Sequence, residues 1–406
     1  METSGQQESE YLEFLNSSDD YFCLSEYEFD RIKKSDEEKN CHKLISYITK
    51  YEKEMEIECG EDSIMKLQFD PFLKTTDELI SYCFIILKKN EMIKRNNINE
   101  KAMVKFLISV KDNYLSTPQY HNFVHGFLVF QFANYFLHES NLIEIIDPRW
   151  SLIILIVSLG HDLGHPGICN RTLMFLKDPL CFRHNSVSPL ENYHADKLIN
   201  LLFSDPNSKL FTELPEWENN AIQNDIRELI IATDMTNHRK ILDNFSIFMN
   251  EENLKNDLNS IICRKRSEAL ITDRKGLMEV SKMILKLSDV SNEFRSFKIF
   301  KKIYINLICE FKSQYYFEES LGFIHSCDLS KLELFQFQQS FVENCILPIL
   351  NNLLLVFPEM KFLRTKLKKN LKNFESEFKN VSGSDRMFSS TISKFNSESF
   401  HRGSQL

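Results

Sequence analysis

From Phe69 to Phe374 apolar residues recur mostly at i, i+3, i+4 and i+7, the spacing that lines one face of a helix. LQFDPFLKTTDELISYCFIILKK opens the region. Helix starts are expected near Thr76, ahead of DELI, and at Asn99, ahead of EKAMVKFLISV. FLRTKLKKNLKNFESEF closes it, with Leu363, Leu367, Leu371 and Phe374 on one face. LIILIVSLG and ILPILNNLLLVF are apolar all round, as helices buried on every side are. Both fall short of the roughly 18–20 residues needed to span a bilayer. Ten Gly and ten Pro among 406 residues leave few breaks. The pattern predicts an all-α protein.

Periodicity divides the chain into three parts. Residues 1–66 form an acidic extension, helical at about 41–58; residues 67–376 form the helical domain; residues 377–406 are Ser-rich and expected to be disordered. Of the 58 acidic residues nine fall within 1–30, a stretch with no Lys or Arg, so the net charge of −9 sits in the head and the remainder is balanced, 49 against 49. A balanced body lacks the basic surface that nucleic-acid polymers require, and the acidic head reads as a solvated tail. The ten cysteines are scattered without a CxxC pair, as free thiols in a reducing compartment would be. The N-terminus, METSGQQESEYLEF, has no basic n-region, so neither a secretory signal nor a transit peptide is expected. Cytosol is the expected location. No internal repeat and no glycine-rich phosphate loop is evident.

Chemistry gathers in the histidines. Eight of eleven lie between 121 and 238. YHNFVHG places His121 and His125 at i, i+4, and HDLGH repeats the spacing with His161, Asp162 and His165. ENYH adds Glu191 and His194, IATDMTNH adds Thr233, Asp234 and His238, and LKLSDVSN adds Asp289 after an apolar run. Imidazole and carboxylate are natural ligands for zinc and other divalent ions. His161 and Asp162 are adjacent and cannot share a face in mid-helix, so they require a helix end. A divalent-metal site and a buried polar network without metal both fit this spacing.

Six blocks in order resemble the catalytic domain of the class I cyclic nucleotide phosphodiesterases, within the HD-type phosphohydrolases. YHNFVHG is similar to YHNxxHA, HDLGHPGICN to HDxxHPGxxN, LENYH to LENHH, IATDMTNH to ATDMxxH, LSDVSNEFR to the ADxSNP block, and FQQSFVENCILP to QxxFxxxxxxP. The resemblance runs from about Phe69 to about Phe374. It implies a compact fold of about sixteen helices around a deep binuclear metal pocket. It also implies hydrolysis of a 3′,5′-cyclic nucleotide to the 5′-monophosphate by a hydroxide bridging two divalent ions. His125, His161, Asp162 and Asp289 would hold a tight ion, usually zinc. Asp162 would bridge to a second, magnesium or manganese, whose waters His165, Glu191 and Thr233 would hold. His121 would be the general acid and Glu310, 21 residues past Asp289, the carboxylate that orients it. Tyr120, Asn292, Gln338 and Phe341 would meet the substrate, the last three at its base. A homodimer is left open.

Five positions depart from the family pattern. Gly164 and Leu128 stand where aspartates are usual, Tyr193 replaces the first histidine of ENHH, and Gly126 replaces alanine. Outer carboxylates commonly matter about 10–100-fold for metal affinity or activity, so a weak or inactive nucleotide-binding relative is the alternative, alongside another HD-type phosphohydrolase. The QxxF and SDVSN blocks argue against the latter. Glu293 replaces the proline of SNP, and SNEFR is similar to the version in the cGMP-specific branch, which favours cGMP over cAMP.

Overall fold

The computed structural model describes residues 64–211, 214–255, 274–326 and 333–379, together with Leu44 and Ile48. In chain order its helices are α1 (Thr76–Lys89), α2 (Met92–Arg95), α3 (Glu100–Asp112), α4 (Phe123–Glu139), α5 (Pro148–Gly160), α6 (Asn170–Leu176), α7 (Pro179–Arg183), α8 (Pro189–Ile199), α9 (Glu216–Ile231), α10 (His238–Lys255), α11 (Arg274–Asp289), α12 (Phe297–Ser320), α13 (Leu334–Phe341), α14 (Leu347–Val356) and α15 (Phe362–Phe378). No β-strand occurs among the described residues, in keeping with the all-α expectation. Of the helix expected over 41–58, Leu44 and Ile48 are helical and buried. The rest of it, the acidic head and residues 380–406 lie outside the described residues.

Local chemistry sets the helix starts. Thr75 caps α1 in a capping box: its hydroxyl accepts from the Glu78 N–H at 3.3 Å, and the Glu78 carboxylate accepts from the Thr75 N–H at 2.7 Å. Asn99 caps α3 as its sequence context suggested. Asp147 caps α5, with Pro148 as the first helical residue, where its missing N–H costs nothing.

Helices α4 and α5 form the centre. Every residue of α5 from Trp150 to Gly160 is buried. Gly126 lets α4 reach it: a Cβ there would stand 2.5 Å from the Leu159 carbonyl and 2.6 Å from the Tyr114 hydroxyl. That hydroxyl donates to the Leu159 carbonyl at 2.8 Å, so the alanine usual in the family has no room here. On α15, Leu363, Leu367 and Phe374 are buried as expected, but Leu371 is only half-buried and Asn370 takes the inward place. The Asn370 amide donates to the Glu293 and Arg295 carbonyls, each at 2.7 Å, and so ties α15 to the turn that follows α11.

Helix α13, a π turn over Val342–Ile346 and α14 run on without a break. The joined segment, Leu334–Val356, is long and apolar enough to cross a membrane by length and composition, unlike the shorter run read from sequence. Its Val342, Ile346, Ile349, Leu350 and Leu353 belong to the main hydrophobic core.

Candidate active site

Several of the side chains singled out by their motifs stand at helix ends. His161 is the C-cap of α5, Asp289 is the last residue of α11, and Thr233 follows the C-cap of α9. His121 precedes the N-cap of α4, Asn122, whereas His125 lies inside that helix. The two histidines of YHNFVHG therefore do not share a helical face as their spacing suggested. Their ring centroids are 5.6 Å apart and they serve different partners.

Four groups meet at one point. His125 Nε2 lies 3.3 Å from His161 Nε2, 3.3 Å from Asp162 Oδ2 and 3.1 Å from Asp289 Oδ1. His161 Nε2 lies 3.2 Å from Asp162 Oδ2 and 3.3 Å from Asp289 Oδ1. Four ligand atoms arranged tetrahedrally about 2.0–2.1 Å from an ion stand about 3.3–3.4 Å apart, so these separations and this donor set fit a divalent ion. His161 Nδ1 donates to the Ser158 carbonyl at 3.1 Å, which leaves its Nε2 lone pair facing the cluster. Burial opposes charge on both partners, yet Asp162 and Asp289 hold His161 well above the usual imidazole range, and His161 with His125 holds Asp289 well below that of a carboxylate. The cluster is thus a place for positive charge.

The residues expected to hold water each have a partner of their own, and His194 stands beside the other oxygen of Asp162. His194 Nε2 lies 3.9 Å from Asp162 Oδ1, and its Nδ1 donates to the Leu163 carbonyl at 2.8 Å. His165 Nδ1 accepts from the Gly167 N–H at 3.0 Å, so its own proton sits on Nε2, where it can donate to water but not bind metal. Burial and the charge on His121 keep His165 well below the usual imidazole range. Glu191 accepts from the Asn170 amide at 2.8 Å, and burial, with Asp234 nearby, pushes its carboxyl up to about 7. The Thr233 hydroxyl donates to the Ile230 carbonyl at 2.7 Å and keeps its lone pairs free to accept.

His121 and Glu310, distant in sequence, form an ion pair. The His121 Nδ1 bonds to Glu310 Oε1, while Oε2 accepts from the N–H groups of Tyr120 at 2.7 Å and His121 at 3.0 Å. Burial lowers the imidazole, but Glu310 more than offsets it and holds His121 at about 9; burial raises the carboxyl, and His121 holds it at about 2. His121 also stacks on His165, with ring centroids 4.1 Å apart. At neutral pH, then, a protonated imidazole stands beside the cluster, its Nδ1–H held and its Nε2–H free.

A cavity of about 190 Å³ opens beside these groups. His121, Asp289, Tyr120, Asn292, Gln338 and Phe341 all line it. The Asn292 amide donates to the Tyr120 hydroxyl at 2.9 Å. Sequence reasoning missed Glu293 as a site residue: its Oε1 accepts from the Gln338 amide at 2.9 Å, its Oε2 is buried without a partner, and burial pushes the carboxyl up to about 7. The proline-to-glutamate departure was the available signal. Phe311, Phe337 and Leu307 also form the wall, and nothing in the sequence separates them from core.

The remaining departures have local reasons. Gly164 has φ +73°, and a Cβ there would stand 2.8 Å from Lys197 Cε and 3.0 Å from the Tyr193 ring. The side chain that replaces the family histidine and its neighbour one turn on thus fill the space an aspartate at 164 would use. Leu128 is buried against Ile299 and Ile303.

Comparison with known proteins gives the family. A sequence model of the family described as 3′5′-cyclic nucleotide phosphodiesterase matches residues 120–367. The chain is 30% identical over 302 residues to the cGMP-specific 3′,5′-cGMP phosphodiesterase 3 of Dictyostelium discoideum, covering 74% of this chain and 61% of that protein. It is 27% identical over 300 residues to the human high affinity cGMP-specific 3′,5′-cyclic phosphodiesterase 9A, covering 73% of this chain and 47% of that one. It therefore spans only about half to three fifths of these curated relatives. In fold it is similar to the phosphodiesterase domain of the RhoPDE fusion protein of Salpingoeca rosetta, with a TM-score of 0.68, 23% identity, and coverage of 78% of this chain and 96% of that one. The chain belongs to the 3′,5′-cyclic nucleotide phosphodiesterase family.

Proposed function

We propose that this chain hydrolyses 3′,5′-cyclic GMP, in preference to cyclic AMP, to the 5′-monophosphate. The observation that carries the reading is one cavity lined both by the paired imidazolium of His121 with Asp289 of the four-group cluster and by Gln338 bonded to Glu293. His125, His161, Asp162 and Asp289 would hold zinc. Asp162, with waters on His165, Glu191 and Thr233, would hold magnesium or manganese. Bound there, the two ions supply a hydroxide-strength nucleophile at neutral pH and offset the charge of the phosphoryl oxygens. Water loses a proton to solvent as its oxygen bonds to phosphorus, the P–O3′ bond breaks, the His121 Nε2–H gives its proton to the departing 3′-oxygen, and the imidazole regains a proton from solvent. Glu310 keeps the imidazole protonated before the transfer and aimed throughout.

Guanine suits the Gln338–Glu293 pair. Its edge offers N1–H and N2–H₂ donors beside the O6 acceptor, and the Gln338 amide can accept one and donate to the other. Glu293 Oε1 accepts from that amide and so fixes which way it faces the base. Phe341 and Phe337 on the wall present flat faces for the base.

The test is kcat/KM for both nucleotides in competition, with His121→Ala as control. Turnover to the 5′-monophosphate with cGMP preferred, lost in the variant, is expected. A strong cAMP preference would overturn the base assignment. Nucleotide binding without turnover in the metal-loaded protein would overturn the enzyme reading.

A further inference from the structure

The two imidazoles of the cluster are held unequally. His161 Nδ1 donates to the Ser158 carbonyl, so that ring has one tautomer and one aim. His125 is 2% exposed and its Nε2 faces the same carboxylates, but its Nδ1 is buried without a hydrogen-bond partner. One helical turn on, Leu128 is also 2% exposed. The two residues line one cavity of about 250 Å³, which Phe72, Val124 and Ile303 share. Leu128 offers its neighbour no side-chain acceptor, and its carbonyl is taken by Arg295 Nη2 at 2.8 Å.

A ligating histidine almost always donates its other ring N–H to a carboxylate, carbonyl or water, which fixes the ring and strengthens the nitrogen that binds metal; losing that partner typically costs about 10–100-fold in affinity. We infer that position 128 sets how firmly the His125 side of the cluster holds its ion, and that leucine there leaves the ion exchangeable. An oxygen at 128 would reach the wall that Leu128 and His125 share and would anchor His125 as the Ser158 carbonyl anchors His161. Leu128 is thus a positioning residue acting through His125, and the occupancy of the chain would follow the free metal around it. The inference rests on the reading of the cluster as a divalent-ion site.

The test is zinc affinity, measured by competition with a chromophoric chelator in Leu128→Asn, Leu128→Asp and Leu128→Ala. Leu128→Asn is nearly isosteric and uncharged, so it forms no ion pair with Arg295 and keeps the test alive if the buried carboxylate prevents folding. Zinc binding about 10–100-fold tighter in the Asn and Asp variants, with no gain in the Ala variant, is expected. In the unaltered zinc-loaded protein, the His161 Nδ1 proton should show the downfield NMR shift of a hydrogen-bonded ring N–H and the His125 Nδ1 proton should not. Equal zinc affinity in folded Leu128→Asn and unaltered protein, or a His125 proton as far downfield as that of His161, would overturn the inference. No zinc binding by any of them would overturn the reading of the cluster itself, and this inference with it.

Discussion

Replacing Glu310 with glutamine should move the pH dependence of catalysis. The substitution keeps the volume and one oxygen, so the N–H groups of Tyr120 and His121, now 2.7 and 3.0 Å from Oε2, can keep an acceptor. It removes the charge that holds His121 at about 9 against burial. Without it His121 should fall to its ordinary value of about 6.5 or below, a change worth about 3 kcal/mol. The general acid must carry its proton. At pH 7.5 about 97% of the imidazole is charged for a pKa of 9, and about 9% for 6.5, so kcat/KM should fall roughly tenfold and recover near pH 5.5. Stability should follow the same pair. His121 is raised, so its contribution is full below about 6.5 and lost as pH rises through about 9; Glu310 is lowered, so its contribution is present above about 4.5 and lost as pH falls through about 2. Both describe one interaction, and the variant should lose about 3 kcal/mol near neutral pH. Bound ions lower the imidazole in both proteins alike, so the decisive quantity is the separation of the two descending limbs between pH 5 and 10. Superimposable limbs would refute the argument.

Three further outcomes follow from the same geometry. Gly164→Ala should lower stability by about 1–2 kcal/mol, seen as a drop in Tm, because alanine is strained at φ +73° and its Cβ meets Lys197 Cε at 2.8 Å. Glu293→Gln should reduce the cGMP-to-cAMP ratio of kcat/KM about tenfold while leaving the cAMP rate within a few fold, since it removes a buried acceptor beside Gln338 but keeps its volume. Stripping divalent ions with a chelator should lower Tm, by the equivalent of about 4 kcal/mol for an ion present at a thousand times its dissociation constant, and adding zinc back should restore it; an unchanged Tm would mean that the four-group cluster holds no ion.

Much of the site was legible because its chemistry needs rare residues at fixed spacing. The adjacent His161 and Asp162 implied a helix end, and α5 stops at Gly160. The helical period marked α15, but it placed Leu371 inward where Asn370 serves two backbone carbonyls; periodicity registers apolar side chains and is blind to buried acceptors that need a donor. The i, i+4 spacing of His121 and His125 misled because Asn122 starts α4 between them. Glu310 was legible only through the family resemblance, since nothing in its helix distinguishes it from a surface carboxylate. The wall formed by Phe311, Phe337 and Leu307 was not legible at all, because a cavity lining and a core contact require the same residue types.

The most direct test is the fate of cyclic GMP in the purified chain, first freed of metal and then supplied with zinc and magnesium, with products separated by chromatography. No turnover is expected in the stripped protein, and release of 5′-GMP, with no 3′-GMP, once the ions return. Release of 3′-GMP, or ion-loaded protein that binds cyclic GMP and leaves it intact, would contradict it.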